Sequence, residues 1–395
     1  MPDRTLKFSD VARSISTRGH QTDTLQYASS GRFPIVDQSA ALVAGYSEDE
    51  EKVLRVGPVV VFGDHTRTVK FVDFPFVVGA DGTKLLQPAN EEISVRFLAY
   101  LTEFAAQQIP NLGYSRHFKE LKEVLVRVPT RDEQDRIVGI LMTWEASIYA
   151  VSRLREARGE AVTGEGCRLL RLQSAEQPCG WRDGTIGEVV ADITTGVSVN
   201  AEDRPRAENE IGVLKTSSVL TGIFEPQQHK AVLAVEAHRA AAPVTGDTVL
   251  VSRMNTPDLV GRSAYVPGSY PDIYLPDRLW QVRTKPGFSA RWLAAVIGNA
   301  AFRPRLASIT AGTSGSMKNI SQSGFLSLSL PIPPPATREQ LARVFDAFER
   351  EIVLLQQQEE HLRMQKAALL SRLLSGKLLV PRITPEANGM EAAHA

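Results

Sequence analysis

Sulfur nucleophiles are nearly missing from this chain. Its 395 residues hold two cysteines, Cys167 and Cys179, with no histidine or acidic partner at metal-ligand spacing. A disulfide framework and a cysteine-rich metal site are excluded, and a reducing cytoplasm is the expected location. No apolar run approaches the roughly 18 residues of a membrane span, and the N-terminus has no apolar signal core. The marks of an enzyme are also lacking. There is no Gly-x-x-x-x-Gly-Lys-Ser/Thr phosphate loop and no Asn-Pro-Pro-Tyr or Asp-Pro-Pro-Tyr run of an amino-methyltransferase. The Pro-Asp pairs Pro257-Asp258, Pro271-Asp272 and Pro276-Asp277 are not closely followed by the acidic-x-Lys of a nuclease cluster. Seven scattered histidines lack metal spacing. The expectation is a chain with no catalytic residues, no metal and no cofactor of its own.

Net charge is lacking too: Lys plus Arg and Asp plus Glu number 45 each. The distribution is less even. No acid stands between Arg278 and Arg338, a stretch that carries Arg283, Lys285, Arg291, Arg303, Arg305 and Lys318. Such asymmetry points to one basic face. A hydrophobic fraction of 43% and a charged fraction of 23% are ordinary for a globular protein. The length suits two domains of about 130 to 150 residues each.

What the chain does have is a repeated amphipathic helix. Leu341, Phe345, Phe348, Ile352 and Leu355 step by four and three, and Leu362, Leu369 and Leu373 continue the seam. Glu359 and Lys366 interrupt it, Gly376 is placed as a C-cap, and Pro381 follows. Such a helix, roughly 55 Å long at about 1.5 Å per residue, needs a partner to cover its seam. Ile137, Leu141, Trp144, Ile148 and Val151 repeat the pattern at one constant offset, which also carries Arg168-Leu169-Leu170 onto Arg372-Leu373-Leu374. Pro129-Thr130-Arg131-Asp132-Glu133-Gln134 and Pro335-Ala336-Thr337-Arg338-Glu339-Gln340 introduce the two copies. The order is globular part, helix, globular part, helix. Gly159, Gly164 and Gly166 fall inside the first copy, each costing about 1 kcal/mol relative to alanine. The preserved register beyond them argues for a poorly formed continuation to about Leu172 rather than a linker.

In the first globular part Phe33–Val36 and Pro58–Phe62 read as strands, 92–107 as a helix and Leu121–Val128 as a closing strand. In the second, Trp181–Val190 reads as an opening strand or turn, 247–252 as a buried strand, Ala290–Ile297 as a helix, and Leu326–Ile332 leads into Pro333-Pro334-Pro335.

The proline-bounded lead-in with Glu-Gln, the long helix and the terminal Leu373-Leu374-Ser375-Gly376-Lys377 resemble the specificity subunit of type I restriction–modification enzymes. The resemblance covers nearly the whole chain. Gly63-Asp64-His65-Thr66-Arg67 and Tyr114 to Lys119 look like parts of a target-recognition domain, as do Leu275 to Leu279 and Gly312 to Ser321. It implies an α+β fold: two mixed α/β target-recognition domains separated by two long antiparallel coiled-coil helices in a pseudo-two-fold internal repeat. The corresponding segments are residues 1–130 (first recognition domain), 131–172 (central helix), 173–335 (second recognition domain), 336–377 (C-terminal helix) and 378–395 (disordered tail). It further implies double-stranded DNA as ligand, each domain reading half of a bipartite site. Two methyltransferase subunits using S-adenosylmethionine, and restriction subunits using ATP and Mg, would be the partners. The competing reading is a coiled-coil adaptor with two protein- or carbohydrate-binding domains; an independent enzyme is a distant third.

Phosphates favour Lys, Arg and hydroxyls, whereas base edges favour Arg on guanine and Asn or Gln on adenine. The candidate DNA contacts are therefore His65, Thr66, Arg67, Lys70, Tyr114, Ser115, Arg116, His117 and Lys119 in the first domain. In the second they are Arg253, Asn255, Thr256, Ser314, Ser316, Lys318 and Asn319, with Gln38 and Arg278 as weaker candidates. Gly312 and Gly315 would let the backbone approach a phosphate. The helix-pairing candidates are Ile137, Leu141, Trp144, Ile148, Leu341, Phe345, Phe348 and Ile352.

Overall fold

Residues 4–79, 81–110, 116–173, 178–311 and 317–380 are described by a computed structural model. The chain divides into two units, Met1–Val151 with Gln358–Ala395, and Ser152–Gln357.

The first unit opens with strand Arg4–Lys7, one helical turn Phe8–Val11 and strand Ala12–Ile15. Arg4–Lys7 pairs antiparallel with Leu125–Val128, so the start of the domain is held against its end. Ala12–Ile15 joins Thr83–Pro88, Val59–Gly63 and Val69–Val72, in that order, in an antiparallel sheet. Val59–Gly63 is buried throughout, which is why it reads as a continuous apolar run and not as an alternation. A second sheet runs Gly45–Ser47, Phe33–Val36, Phe76–Val78, Val53–Leu54, with its middle pair parallel. Helix Val95–Gln108 begins where Ser94 Oγ accepts the Phe97 amide at 3.0 Å, and it buries Phe97, Leu98 and Leu101.

The second unit repeats this plan. Arg182–Thr185, Ile186–Val189 and Val190–Thr195 open it, and Arg182–Thr185 pairs with Ser329–Ile332. Its first sheet runs Val190–Thr195, Leu279–Thr284, Thr248–Ser252, Ser263–Val266, the same order of equivalent strands. Its second sheet again has a parallel pair, Gly212–Leu214 with Tyr270–Tyr274. Helix Ala290–Gly298 stands where Val95–Gln108 stands in the first unit, capped in the same way by Ser289. The internal repeat therefore includes the domains as well as the helices. The expected strand over Leu121–Val128 is shorter, Leu125–Val128. Phe118–Glu123 is a helix instead, with Lys119, Lys122 and Glu123 exposed and Leu121 buried, and Gln322–Ser327 is its counterpart.

The long helices run Arg131–Leu169 and Pro335–Leu374. The first passes through Gly159, Gly164 and Gly166 without a break. Gly166 serves close packing, since a Cβ there would lie 3.2 Å from Phe345 and 3.1 Å from Asn299. Gly159 and Gly164 face open space, with nothing within 4 Å of an added Cβ. Gly159→Ala is therefore expected to raise stability by up to about 1 kcal/mol, read as a higher midpoint of thermal unfolding. The second helix ends as expected at Gly376, whose φ is +74°; the Gly376 and Leu378 amides turn back to Leu373 and Arg372 carbonyls.

Within each unit the helix segments pair antiparallel. In the first, Lys366 reaches Glu145 at 3.1 Å while Leu370, Leu373 and Leu374 join Ile137 and Leu141 in one core. In the second, Arg158 reaches Glu351 at 2.8 Å while Phe345 lies against Gly166. Ile137, Leu141, Ile148, Leu341 and Phe345 are buried; Trp144, Phe348 and Ile352 are half-buried. The polar seam positions carry ion pairs: Glu359 binds Arg363 at 2.7 Å, and Lys366 binds Glu103 and Glu145. By length and composition alone Arg131–Leu169 could cross a membrane. Its Glu145, however, is paired with Lys366 and Arg96, and its Ile137, Leu141 and Ile148 are buried against protein. Among the described residues no group of three or more His, Cys, Asp or Glu is placed to hold a metal.

Candidate nucleic-acid interface

In the first unit strand Val59–Gly63 runs out into a turn at residues 64–68 and returns as Val69–Val72. Asp64 organises what surrounds that turn. Its amide donates to the Gly82 carbonyl at 2.7 Å, and its own carbonyl accepts the His117 amide at 2.8 Å. Its carboxylate accepts the Phe118 amide at 2.8 Å and lies 3.8 Å from Lys84. Gln38 ties in a third segment: its amide donates to the Asp81 carbonyl at 2.9 Å and accepts from the His65 amide at 3.1 Å. Two stretches chosen separately from sequence, 63–67 and 116–119, are thus brought together. From the sequence Asp64 was named only within the Gly63–Arg67 run; its role in tying that turn to residues 117 and 118 was not foreseen, although an aspartate directly after a strand and its terminal glycine is a common turn anchor.

The candidates do not all face outward. Thr66, Arg116 and Lys119 are exposed and His65 is half-buried. Thr66 donates its hydroxyl to the Gln38 carbonyl at 2.7 Å. Arg67 adopts a left-handed backbone (φ +59°), and its guanidinium donates to the Ile109 carbonyl at 2.8 Å, so it braces the turn. Two expectations require correction. His117 is fully buried, its Nδ1 lying 3.0 Å from the Asp64 carbonyl, and it works inside the knot. Lys70 is buried as well; its ammonium donates to the Asp37 carbonyl at 2.7 Å and lies 3.7 Å from the Asp37 carboxylate. Burial lowers its pKa below the ordinary 10.5, against the opposing pull of Asp37. Gln38, too, is spent on holding loops. Tyr114 and Ser115 lie outside the described residues.

The second unit makes the equivalent junction with a small sheet. Met254–Asn255 pairs with Lys318–Ile320, which pairs in turn with Thr310–Ala311. The Ile320 amide donates to the Arg253 carbonyl at 2.9 Å, and the Arg253 amide to the Arg278 carbonyl at 3.0 Å. Thr256 and Arg278 are exposed; Arg253, Asn255, Lys318 and Asn319 are half-buried. Ser314 and Ser316, with Gly312 and Gly315, lie outside the described residues. The acid-free run does not make one basic face. Arg283 pairs with Asp192, Arg291 with Asp346 and Glu349, Arg303 and Arg305 bond backbone carbonyls, and Arg338 stacks on Phe288. Most of these charges brace the domain, and Arg278 and Lys318 remain beside the junction.

An α+β chain built twice from the same two-sheet domain and the same long helix has the fold of type I restriction–modification specificity subunits. It covers 97% of the S subunit of a type I system from M. genitalium, with a TM-score of 0.52 at 11% identity and 97% of this chain aligned. A second solved chain comes from a study of complex assembly and conformational transition of the type I system. It aligns with 95% of this chain and 98% of its own length, at a TM-score of 0.51 and 17% identity. In sequence the chain is similar to the EcoEI type I restriction enzyme specificity subunit of Escherichia coli, 26% identical over 196 residues. That match takes in 47% of this chain and only about a third (33%) of the relative. No family model matches the chain. The resemblance read from the sequence is borne out, and so is the fold class.

Proposed function

We propose that this chain is the DNA sequence-specificity subunit of a type I restriction–modification complex. Each domain reads one half of a bipartite site and directs adenine methylation or restriction by partner subunits. The observation that carries this reading is the repeated junction. In both units a loop leaving the central strand of the first sheet is joined to the segment before the closing strand, and both are rich in groups suited to phosphates and base edges. In this reading the chain carries no chemistry. Two methyltransferase subunits supply S-adenosylmethionine and any base flipping, and restriction subunits supply ATP and Mg, in the cytoplasm. The adaptor alternative has no such observation in its favour.

The cleanest probe is the exposed Arg116 of the first unit, with the half-buried Lys318 on the small sheet of the second. Arg116→Ala and Lys318→Ala are expected to weaken duplex binding, Arg116→Ala with the unfolding midpoint nearly unchanged. A lost phosphate contact lowers the slope of log affinity against log salt by about one; a lost base contact removes about 1–3 kcal/mol and relaxes the preference at that position. Arg67→Ala is not such a probe, because it also unties Ile109. Parent-like binding and parent-like salt slope in both variants would remove these loops from the interface.

A further inference from the structure

One side-chain arrangement occurs in both units and has no part in either junction. In the first unit Arg96, second residue of helix Val95–Gln108, lies over Phe71 with its guanidinium 4.1 Å from the ring centre. The same group points to Glu145 of the first long helix, at 3.6 Å. In the second unit Arg291, second residue of helix Ala290–Gly298, lies 5.3 Å from the ring centre of Tyr265. It donates to the Phe345 carbonyl at 2.5 Å, pairs with Glu349 at 2.5 Å and lies at ion-pair distance, 3.0 Å, from Asp346, all on one stretch of the second long helix. The positions correspond throughout. Phe71 and Tyr265 are the third residues of strands Val69–Val72 and Ser263–Val266, and Glu145 and Glu349 follow the seam residues Trp144 and Phe348.

These strands are not arbitrary. Val69–Val72 is the strand that returns from the Asp64 turn, and Ser263–Val266 returns from the loop that begins at Arg253. Each arginine therefore joins the foot of a candidate reading loop to the long helix of its own unit. Arginine suits the task because its flat guanidinium stacks on a ring while its fork binds carboxylates in plane. An exposed ion pair would count for little, but Arg291 is 8% exposed and meets the Glu349 carboxylate and the Phe345 carbonyl at once, with Asp346 alongside. The first unit is tied a second time, through Lys366 between Glu103 and Glu145. The second has instead the Asn299 side-chain amide donating to the Thr163 carbonyl at 3.0 Å.

We propose that Arg96 and Arg291 are positioning residues that fix the angle of each reading loop on its long helix, and so the half-site spacing the protein accepts. This rests on the proposed DNA-reading function. Loosening a latch leaves the loop's own base contacts intact. It frees the direction in which they are presented, so discrimination between spacings falls while base preferences persist.

Two arms on the full-length chain separate this inference from the function beneath it. In the first, Cys167→Ser and Cys179→Ser clear the background, and spin labels at Val235→Cys and Leu354→Cys, both exposed and both in the second unit, report the domain-to-helix distance. A single narrow distribution is expected, clearly broadened by Arg291→Met and less so by Arg291→Lys, which keeps the charge but not the fork. In the second arm the parent selects duplexes from a randomised pool, and the selected half-sites are rebuilt one base pair closer or farther apart. Arg291→Met is expected to lower the preference for the selected spacing by about tenfold, the worth of one mismatched pair, without changing the selected bases. If Arg291→Met does not fold, Glu349→Gln reads the same latch. An unchanged distance distribution overturns the latch. A broadened one with unchanged spacing preference overturns its positioning role. A parent that selects no duplex overturns the DNA-reading function, and the distance distribution then still decides whether the latch exists.

Discussion

Lys70→Ala should lower the unfolding free energy of the first unit by about 3 kcal/mol, near the bottom of the range for breaking a buried ion pair from one side. The low end is expected because Asp37 keeps other donors: the Ser39 amide at 2.8 Å and the Tyr27 hydroxyl at 3.3 Å. What is lost outright is the bond to the Asp37 carbonyl and the cover over a nearly dry site, where the lysine side chain is 5% exposed. Lys70→Met, which keeps the volume, should cost less. A pH signature accompanies this. The folded-state pKa lies below 10.5, so the unfolded chain binds the proton more tightly. The stability linked to this group is complete above 10.5 and is lost as pH falls through the folded value. Lys70→Met should remove that slope from the difference between variant and parent. Denaturant unfolding across alkaline pH measures both effects. A variant as stable as the parent, with weakened DNA binding, would return Lys70 to the interface.

Lys70 also shows where reading a sequence succeeds and where it stops. Three residues from Arg67 and close to His65, it looked like part of a basic loop. Yet it lies on a strand whose residues alternate, and it shares the buried face with Val72. The loop ends two residues sooner than composition suggested, at Thr68. The helix seams were legible because their signal is periodic and strong: Ile137, Leu141, Leu341 and Phe345 repeat large side chains at fixed steps, and those four are buried. Continuity through Gly159 followed from register, which a propensity count would have denied. The domain repeat was expected from the family resemblance, but the matching of strand to strand was not legible. Equivalent strands share only a type of surface, as in Val59–Gly63 and Thr248–Ser252, and the loops between them differ in length. The Arg96 and Arg291 latches become visible only once the strands carrying Phe71 and Tyr265 are aligned by topology.

Leu370→Ala should destabilise the first unit by about 2–5 kcal/mol and leave the second unchanged. The residue belongs to the second long helix, far from the first domain in sequence, yet it is fully buried in one core with Phe97, Leu101, Val126, Ile137 and Leu141. Leu373 and Leu374 enter that core beside it, and Arg127 lies 3.4 Å from the Leu373 carbonyl. The end of the chain thus completes the domain at its beginning. The second unit has its own core, in which Leu170 packs with Trp292, Ile297, Leu341 and Phe345. Two cores of separate composition should melt as two transitions, and calorimetry on the full chain is expected to resolve them. Leu370→Ala should lower one, and Leu341→Ala, at a site 6% exposed, the other. Phe348→Ala should shift the second transition by less than the roughly 3–5 kcal/mol of a fully buried phenylalanine, since this ring is half-buried. A cavity formed by Leu370→Ala acts on the first transition only if the terminal helix is seated there in solution. A chain cut after Gln357 carries the same argument to its limit: without Leu370, Leu373 and Leu374 the first unit should lose its cooperative transition while the second keeps its own. Equal shifts of both transitions by Leu370→Ala, or an intact first transition in the shortened chain, would show that the first domain does not depend on the far end of the chain for its core.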